Sequence, residues 1–169
     1  MRKSNKVAIA VIIAAVVVSA GAYVYISQYY NRGAMKVYVQ DTPVINVNAV
    51  YLTFSAVSVH GNSSGWMNFS TGKTTINILN LDTTNASLLK SVSLSAQTYT
   101  MIRLYIYSVN VTVLGINISL NLSAPFAFIN HPFTVSAHST TVVHIDFNLI
   151  NDINLQSRVF TPYVGITVS

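Results

Sequence analysis

The chain has 169 residues and a formal charge of +5, but no cysteine and no glutamate. The missing cysteine excludes disulfides, zinc–thiolate sites and a lipid-modified N-terminal cysteine. Arg2, Lys3 and Lys6 precede an apolar run and Arg32 follows it, which leaves Lys36, Lys73, Lys90, Arg103 and Arg158 against Asp41, Asp82, Asp146 and Asp152. So balanced a remainder argues against a nucleic-acid-binding surface. Solubility rests instead on 16 asparagines and on 34 serines and threonines. With so few carboxylates to titrate, the chain is expected to tolerate an acidic exterior.

Residues 1–6 read as a basic cytoplasmic segment. Residues 7–26, VAIAVIIAAVVVSAGAYVYI, form a run of 20 residues without a charge, long enough to cross a bilayer as a helix. The preceding cations put the N-terminus inside and the rest of the chain outside. A cleaved signal peptide is the alternative, with residues 7–18 as its apolar region and Ala20-Gly21-Ala22 as its small-residue site. Tyr23 to Ile26 prolong the run, and Tyr29, Tyr30 and Arg32 suit an interfacial belt with a snorkelling cation, which favours a retained anchor. The expected location is the cell membrane, single-pass, with residues 7–26 in lipid and residues 35–169 extracellular. The alternative is secretion after cleavage near Ala22.

Residues 27–34 read as a juxtamembrane linker. A first strand follows over 35–40, and Asp41-Thr42-Pro43 reads as a turn. A long strand over 48–60 changes its apolar parity near Ala56, as a β-bulge would make it do. A loop at 61–65, a short strand at 66–69, a turn at 71–73 and a strand over 75–81 come next. Residues 82–90 are the one stretch with helical character, capped by Asp82 or Thr83. The longest strand pattern covers 98–114, with a parity change near Ser108, and 116–122 alternates cleanly. Residues 125–132 read as irregular, 133–137 and 140–149 as a hairpin around His138-Ser139, and 162–168 as a last strand. Seven to nine short strands and almost no helix predict an all-β fold, an antiparallel Greek-key β-sandwich behind one transmembrane helix.

The order of landmarks resembles a known family. Met35-Lys36-Val37-Tyr38-Val39-Gln40-Asp41-Thr42-Pro43, the run Val50 to His60, Gly65-Trp66, Ile78-Leu79-Asn80-Leu81, Leu88-Leu89, Tyr99-Thr100-Met101-Ile102-Arg103-Leu104, His131-Pro132-Phe133 and Asp146-Phe147 are similar to domain of unknown function 4382. The likeness covers nearly all of residues 35–168. It implies an exported or surface-anchored prokaryotic domain, often archaeal, of no established activity. Many members resemble lipoproteins with an N-terminal cysteine; this chain has none, which returns the anchoring role to residues 7–26.

N-x-S/T sequons occur at Asn62, Asn68, Asn85, Asn110, Asn117 and Asn121, all on the expected outer side and all candidates for N-linked glycans. Asn117 and Asn121 share the polar parity of one strand, so glycans there would coat a sheet face. His144 and Asp146, with Asp152 nearby, are weak candidates for a metal, since their spacing fits no defined loop. No cofactor is expected. His60, His131 and His138 are scattered and read as turn or surface residues. Arg103 is expected to cover aromatic surface or to pair with an aspartate such as Asp41. Tyr99, Tyr105 and Tyr107 share one parity and Tyr51 lies on the polar parity of another strand, so the four could form an exposed strip for ligand stacking.

No G-x-S-x-G, Walker loop, H-E-x-x-H or dinucleotide fingerprint occurs, and without glutamate a two-carboxylate glycosidase is hard to build. The expectation is a non-enzymatic, membrane-anchored, N-glycosylated cell-surface structural or adhesion domain. Two alternatives stand beside it. One is a filament subunit assembled by β-strand donation, with a second copy or surface-layer component as partner. The other is an extracellular carbohydrate-binding module using the tyrosine strip.

Overall fold

The computed structural model describes residues 2–41 and 47–169, with side chains described at 9–26, 29–41 and 47–169. The expected turn at Asp41-Thr42-Pro43 lies, beyond Asp41, outside the described residues. Helix α1 spans Arg2–Tyr25 and passes into a π-helical turn, Ile26–Tyr30. Among the described residues no helix is long and apolar enough to cross a membrane. Each side chain described from Ile9 to Ile26 is exposed, large aliphatics included.

Among the described residues, eleven strands in two sheets make up the rest. They are β1 (Arg32–Asp41), β2 (Ala49–Gly61), β3 (Gly65–Asn77), β4 (Ser87–Ser95), β5 (Gln97–Val113), β6 (Ile116–Leu122), β7 (Phe126–Val135), β8 (Thr140–Phe147), β9 (Ile153–Asn154), β10 (Val159–Phe160) and β11 (Val164–Val168), with a one-turn helix α2 (Leu149–Asp152) after β8. The smaller sheet has the order β11-β8-β1-β4. The larger runs β3-β2-β5-β6-β10-β9, and β7 pairs with β5. The long β5 gives its first half to β7 and its second half to β6.

Alternation explains why the two sheets close on each other. Met35, Val37 and Val39 of β1 and Val143, Ile145 and Phe147 of β8 are fully buried, as are Val50, Leu52, Phe54, Val57 and Val59 of β2 and Ile102 and Leu104 of β5. They form one core. Phe54 of the larger sheet meets Phe147 of the smaller one, ring centroids 6.1 Å apart.

The expected fold class holds at the level of an all-β sandwich, with corrections. Pairing is not wholly antiparallel: β1 runs parallel to β8, and β10 parallel to β6. The parity change near Ala56 is a register shift between Phe54 and Ala56. In β5, Ile106 and Val109 are both buried on either side of Tyr107-Ser108, as the second expected change requires. Residues 66–81 are not two strands around a turn. Strand β3 is continuous to Asn77, and Gly72 and Lys73 take left-handed backbone angles within it.

The expected helix at 82–90 is a turn followed by β4. The Asp82 carboxylate accepts hydrogen bonds from the backbone N–H of Thr84 and Asn85 and from the Thr84 hydroxyl, which offers the backbone a turn in place of a helix. Of residues 125–132, expected to be irregular, all but Pro125 lie in β7, Pro132 included. The expected hairpin around His138-Ser139 is a crossover instead, because β7 belongs to the larger sheet and β8 to the smaller.

Candidate functional site

The outward face of the larger sheet carries a cluster of aromatic and cationic groups. Inward residues fix which side chains face out. Val57, Val59, Ile102, Leu104, Ala127 and Ile129 are buried, so their sequence neighbours line the opposite face. Strand register then sets three adjacent rows across β3, β2, β5 and β7. Trp66, His60, Met101 and Asn130 form one row; Asn68, Ser58, Arg103 and Phe128 the next; Ser70, Ala56, Tyr105 and Phe126 the third.

Arg103 is the centre of this face. Its guanidinium carbon lies 3.8 Å from the Trp66 ring centroid, 5.0 Å from that of Phe126 and 5.7 Å from that of Phe128. Its Nε is covered and has no hydrogen-bond partner, so the rings hold that edge of the group. Of the two expected roles for Arg103, it takes the aromatic one and does not pair with Asp41. The Asp41 carboxylate instead accepts the Leu81 N–H at 2.9 Å. His60 meets Trp66 edge-on at 5.2 Å, and its Nδ1 shares a hydrogen bond with the Thr100 hydroxyl. Tyr105 meets Phe126 edge-on at 5.5 Å. Further along the sheet, the Lys73 ammonium sits 3.8 Å over the Tyr107 ring.

These groups remain open to solvent: Trp66 is 37% exposed, Phe128 47% and Tyr107 57%. The four aspartates lie elsewhere, at the end of β1, in the turn before β4, on β8 and in α2. The face therefore carries cations and flat apolar rings without a carboxylate, a chemistry suited to stacking on sugar rings and to neutral or anionic groups.

Of the four tyrosines expected to form a strip, Tyr51, Tyr105 and Tyr107 face outward. Tyr51 stands apart from the other two, in a row with Asn77 and Asn110. Tyr99 does not belong to the strip. It is fully buried, stacks on Phe133 at 5.4 Å and donates its hydroxyl to the Ser95 carbonyl. A register shift between Tyr99 and Met101 turns it inward. Burial pushes the Tyr99 hydroxyl above its ordinary pKa. Trp66, Phe126, Phe128 and Lys73 escaped the sequence reading. The shared parity of Phe126 and Phe128 was the available signal, hidden by Pro125 and Pro132.

All six sequon asparagines lie on the surface, five exposed and Asn110 half-buried. Asn62 lies in the β2–β3 turn and Asn85 in the turn before β4. Asn68, Asn110, Asn117 and Asn121 lie on strands of the larger sheet. Three of these accept a neighbouring hydroxyl at Oδ1: Asn68 from Ser58, Asn110 from Ser119 and Asn117 from Thr112. That leaves Nδ2, the atom N-glycosylation would use. Asn85 differs, because its Nδ2 donates to the Asn80 carbonyl.

The metal candidates do not converge. His144 and Asp146 share the outer face of β8, where His144 stacks on Tyr38 at 5.3 Å. Asp152 is buried in α2, its carboxylate accepting the Tyr163 N–H at 2.7 Å. Burial raises its pKa to about 7. Asp41 is also raised, by burial first and then by the charge of Asp146. Among the described residues no three histidines or carboxylates are placed to hold a metal. An open cavity of about 620 Å³ lies where the π-turn meets the sandwich, lined by Tyr29, Arg32, Ser93, His138 and Thr140. There Arg32 bonds Ser93 through both hydroxyl and carbonyl.

Fold and site together define a two-sheet β-sandwich with an aromatic–cationic outer face, preceded by an apolar helix. The family model for Domain of unknown function (DUF4382) matches residues 32–162, and the chain belongs to that family. No curated protein and no solved structure matches the chain.

Proposed function

We propose that this chain is a non-enzymatic structural or adhesion domain, displayed outside the cell on a retained N-terminal anchor and carrying N-linked glycans. The observation that carries the reading is α1 itself. From Ile9 to Tyr25 its side chains are exposed on every side of the helix. A helix apolar all round calls for lipid or protein cover rather than water. The basic residues before it give the orientation. The π-turn joins it to β1 within one residue, so the sandwich would stand close to the anchoring surface. The outer face of its larger sheet also carries asparagine, serine and threonine, and four of the six sequons lie there.

Two measurements on cells test this. The mature protein should keep its N-terminal 26 residues, fractionate with membranes and lose its sandwich to protease added outside. A mature N-terminus near Ala22 with release into the medium would refute the retained anchor. Peptide mass spectrometry with all six sequon asparagines unmodified would refute the glycan coat.

The Trp66–Arg103–Phe128 face favours a second reading, a carbohydrate-binding module. Binding on a glycan array that Trp66→Ala abolishes would support it over a purely structural role, and a blank array would remove it. In a filament built by strand donation the element at issue is β1, which here lies between β4 and β8 of its own sheet. A subunit assembled that way would exchange β1 with a neighbour.

A further inference from the structure

We infer that the glycan on Asn68 folds back onto this protein's own aromatic–cationic face, stacking its first sugar on Trp66 and extending toward Arg103 and Phe128. The inference rests on the proposal that the sequons are glycosylated and identifies the occupant of the exposed face as a covalent part of the same chain.

Placement is the first argument. Trp66 and Asn68 stand two residues apart on one face of β3, about 7 Å along the strand. That spacing puts a sugar attached at Asn68 Nδ2 beside the indole. Asn68 also heads the row that continues through Ser58 to Arg103 and Phe128. Neighbouring strands are about 4.8 Å apart, so two or three sugars span from Asn68 to Phe128.

Orientation is the second. The Ser58 hydroxyl donates to Asn68 Oδ1. Ser58 is itself buried, so this bond fixes the amide plane from beneath and leaves Nδ2 for the sugar linkage. Among the sequon asparagines with such a bond, Asn68 alone takes its hydroxyl from a buried residue. Asn110 of β5 and Asn117 of β6 accept the Ser119 and Thr112 hydroxyls, but neither of those donors is buried, and both pairs lie away from the Trp66 row. Asn85 uses its Nδ2 to hold a turn.

Chemistry is the third. The apolar face of a pyranose packs on indole and phenyl rings as aromatic surfaces pack on each other. Guanidinium N–H groups are donors for sugar hydroxyls or for a carboxylate on an acidic sugar. The rows next to Asn68 hold no carboxylate to repel an acidic glycan. Docking would also shield a contiguous apolar patch that the sandwich leaves open.

Trp66 is the sole tryptophan, so its fluorescence reports on this face alone. The test compares acrylamide quenching of the full-length glycosylated protein, purified in detergent from its own cells, with that of three variants. Asn68→Gln removes the attachment atom. Ser70→Ala removes the sequon but leaves Asn68 and its Ser58 bond in place. Asn117→Gln removes a glycan on β6, beside the far end of β5. Arg103 already lies over one indole face, so a stacked sugar covers the face left open and the first two variants should raise the quenching constant at least about twofold, while Asn117→Gln leaves it unchanged. Equal quenching in all four proteins, with Asn68 shown occupied by mass spectrometry, overturns the inference and leaves the glycoprotein reading standing. Asn68 unmodified while other sequons are occupied does the same. All six unmodified overturns both.

Discussion

The guanidinium carbon of Arg103 lies over Trp66, 3.8 Å from the ring centroid, and the contact joins β5 to β3 across the small residue Ser58 of the intervening strand. A cation between aromatic rings, with Nε covered, gains from the ring quadrupole what it loses in hydration. The pair should therefore show energetic coupling. In a double-mutant cycle on urea unfolding, Trp66→Ala and Arg103→Ala should fall short of additivity by about 1 kcal/mol. Arg103→Lys should recover only part of that, because an ammonium cannot stack. Strict additivity would show that the contact carries no stability.

The second prediction concerns the entry to the sandwich. A Cβ at Gly33 would run into the Ser136 carbonyl oxygen and lie 3.0 Å from that of Ser139. Both belong to the crossover that β1 holds through the bonds Ala34 N–H to Ser139 and His138 N–H to Arg32. Backbone cannot swing aside, so Gly33→Ala should cost about 3 kcal/mol. At Gly61 the obstructing atoms are the side-chain ends of Ser64 and Gln97, which can rotate. Gly61→Ala should cost about 1 kcal/mol or less. Unfolding midpoints for the two variants check the order, and equal midpoints would contradict it.

Much of the fold was legible because period-two alternation survives in β1, β2, β5, β6 and β8, and the parity change at Ala56 marks a real bulge. The failures have physical causes. Residues 87–95 carry adjacent leucines that suit a helix or a strand, and only pairing with β1 decides. The hairpin expected around His138 missed its strands' separate sheets, since tertiary placement leaves no local mark. Tyr99 was misplaced because its bulge lies at Thr100-Met101, where neither residue is apolar enough on one side to reveal a slip. For the same reason the site was half read: the tyrosines were visible by parity, but Trp66 and Phe128 meet Arg103 only through cross-strand register.

Across the core, Phe54 touches Phe147 at 6.1 Å, and Phe147 in turn lies 6.4 Å from Phe160. All three are fully buried, and the chain of rings ties both sheets together. Phe54→Ala should cost about 3–5 kcal/mol, the loss of transfer energy plus a cavity that two rigid sheets cannot close. Tyr107→Ala, on the open face of the same larger sheet, should cost about 1 kcal/mol. Similar losses for the two would contradict a single core centred on the ring chain.

The last prediction concerns acid. Asp152 is 1% exposed; its Oδ1 accepts the Tyr163 N–H, its backbone carbonyl accepts the Thr161 N–H, and Oδ2 has no partner. It thereby pins the crossing from β10 to β11. Burial holds its pKa near 7 against 3.8 for the free group, so between those values the folded state keeps a proton that the unfolded chain has released. Stability from this group is thus complete below about pH 4 and is lost as pH rises to 7. Asp41 slopes the same way, being raised chiefly by burial. Asp82, lowered by the Thr84 hydroxyl, slopes oppositely below pH 3.8 but is fully exposed and contributes little. The melting temperature should therefore rise by roughly 5 °C from pH 7.5 to pH 5, which sharpens the expected tolerance of an acidic exterior into a preference for it. Asp152→Asn keeps an oxygen for Tyr163 and removes the ionisation, so it should flatten most of the slope while Asp41→Asn removes less. A wild-type melting temperature that fell from pH 7.5 to pH 5, with a slope that Asp152→Asn left unchanged, would overturn this prediction.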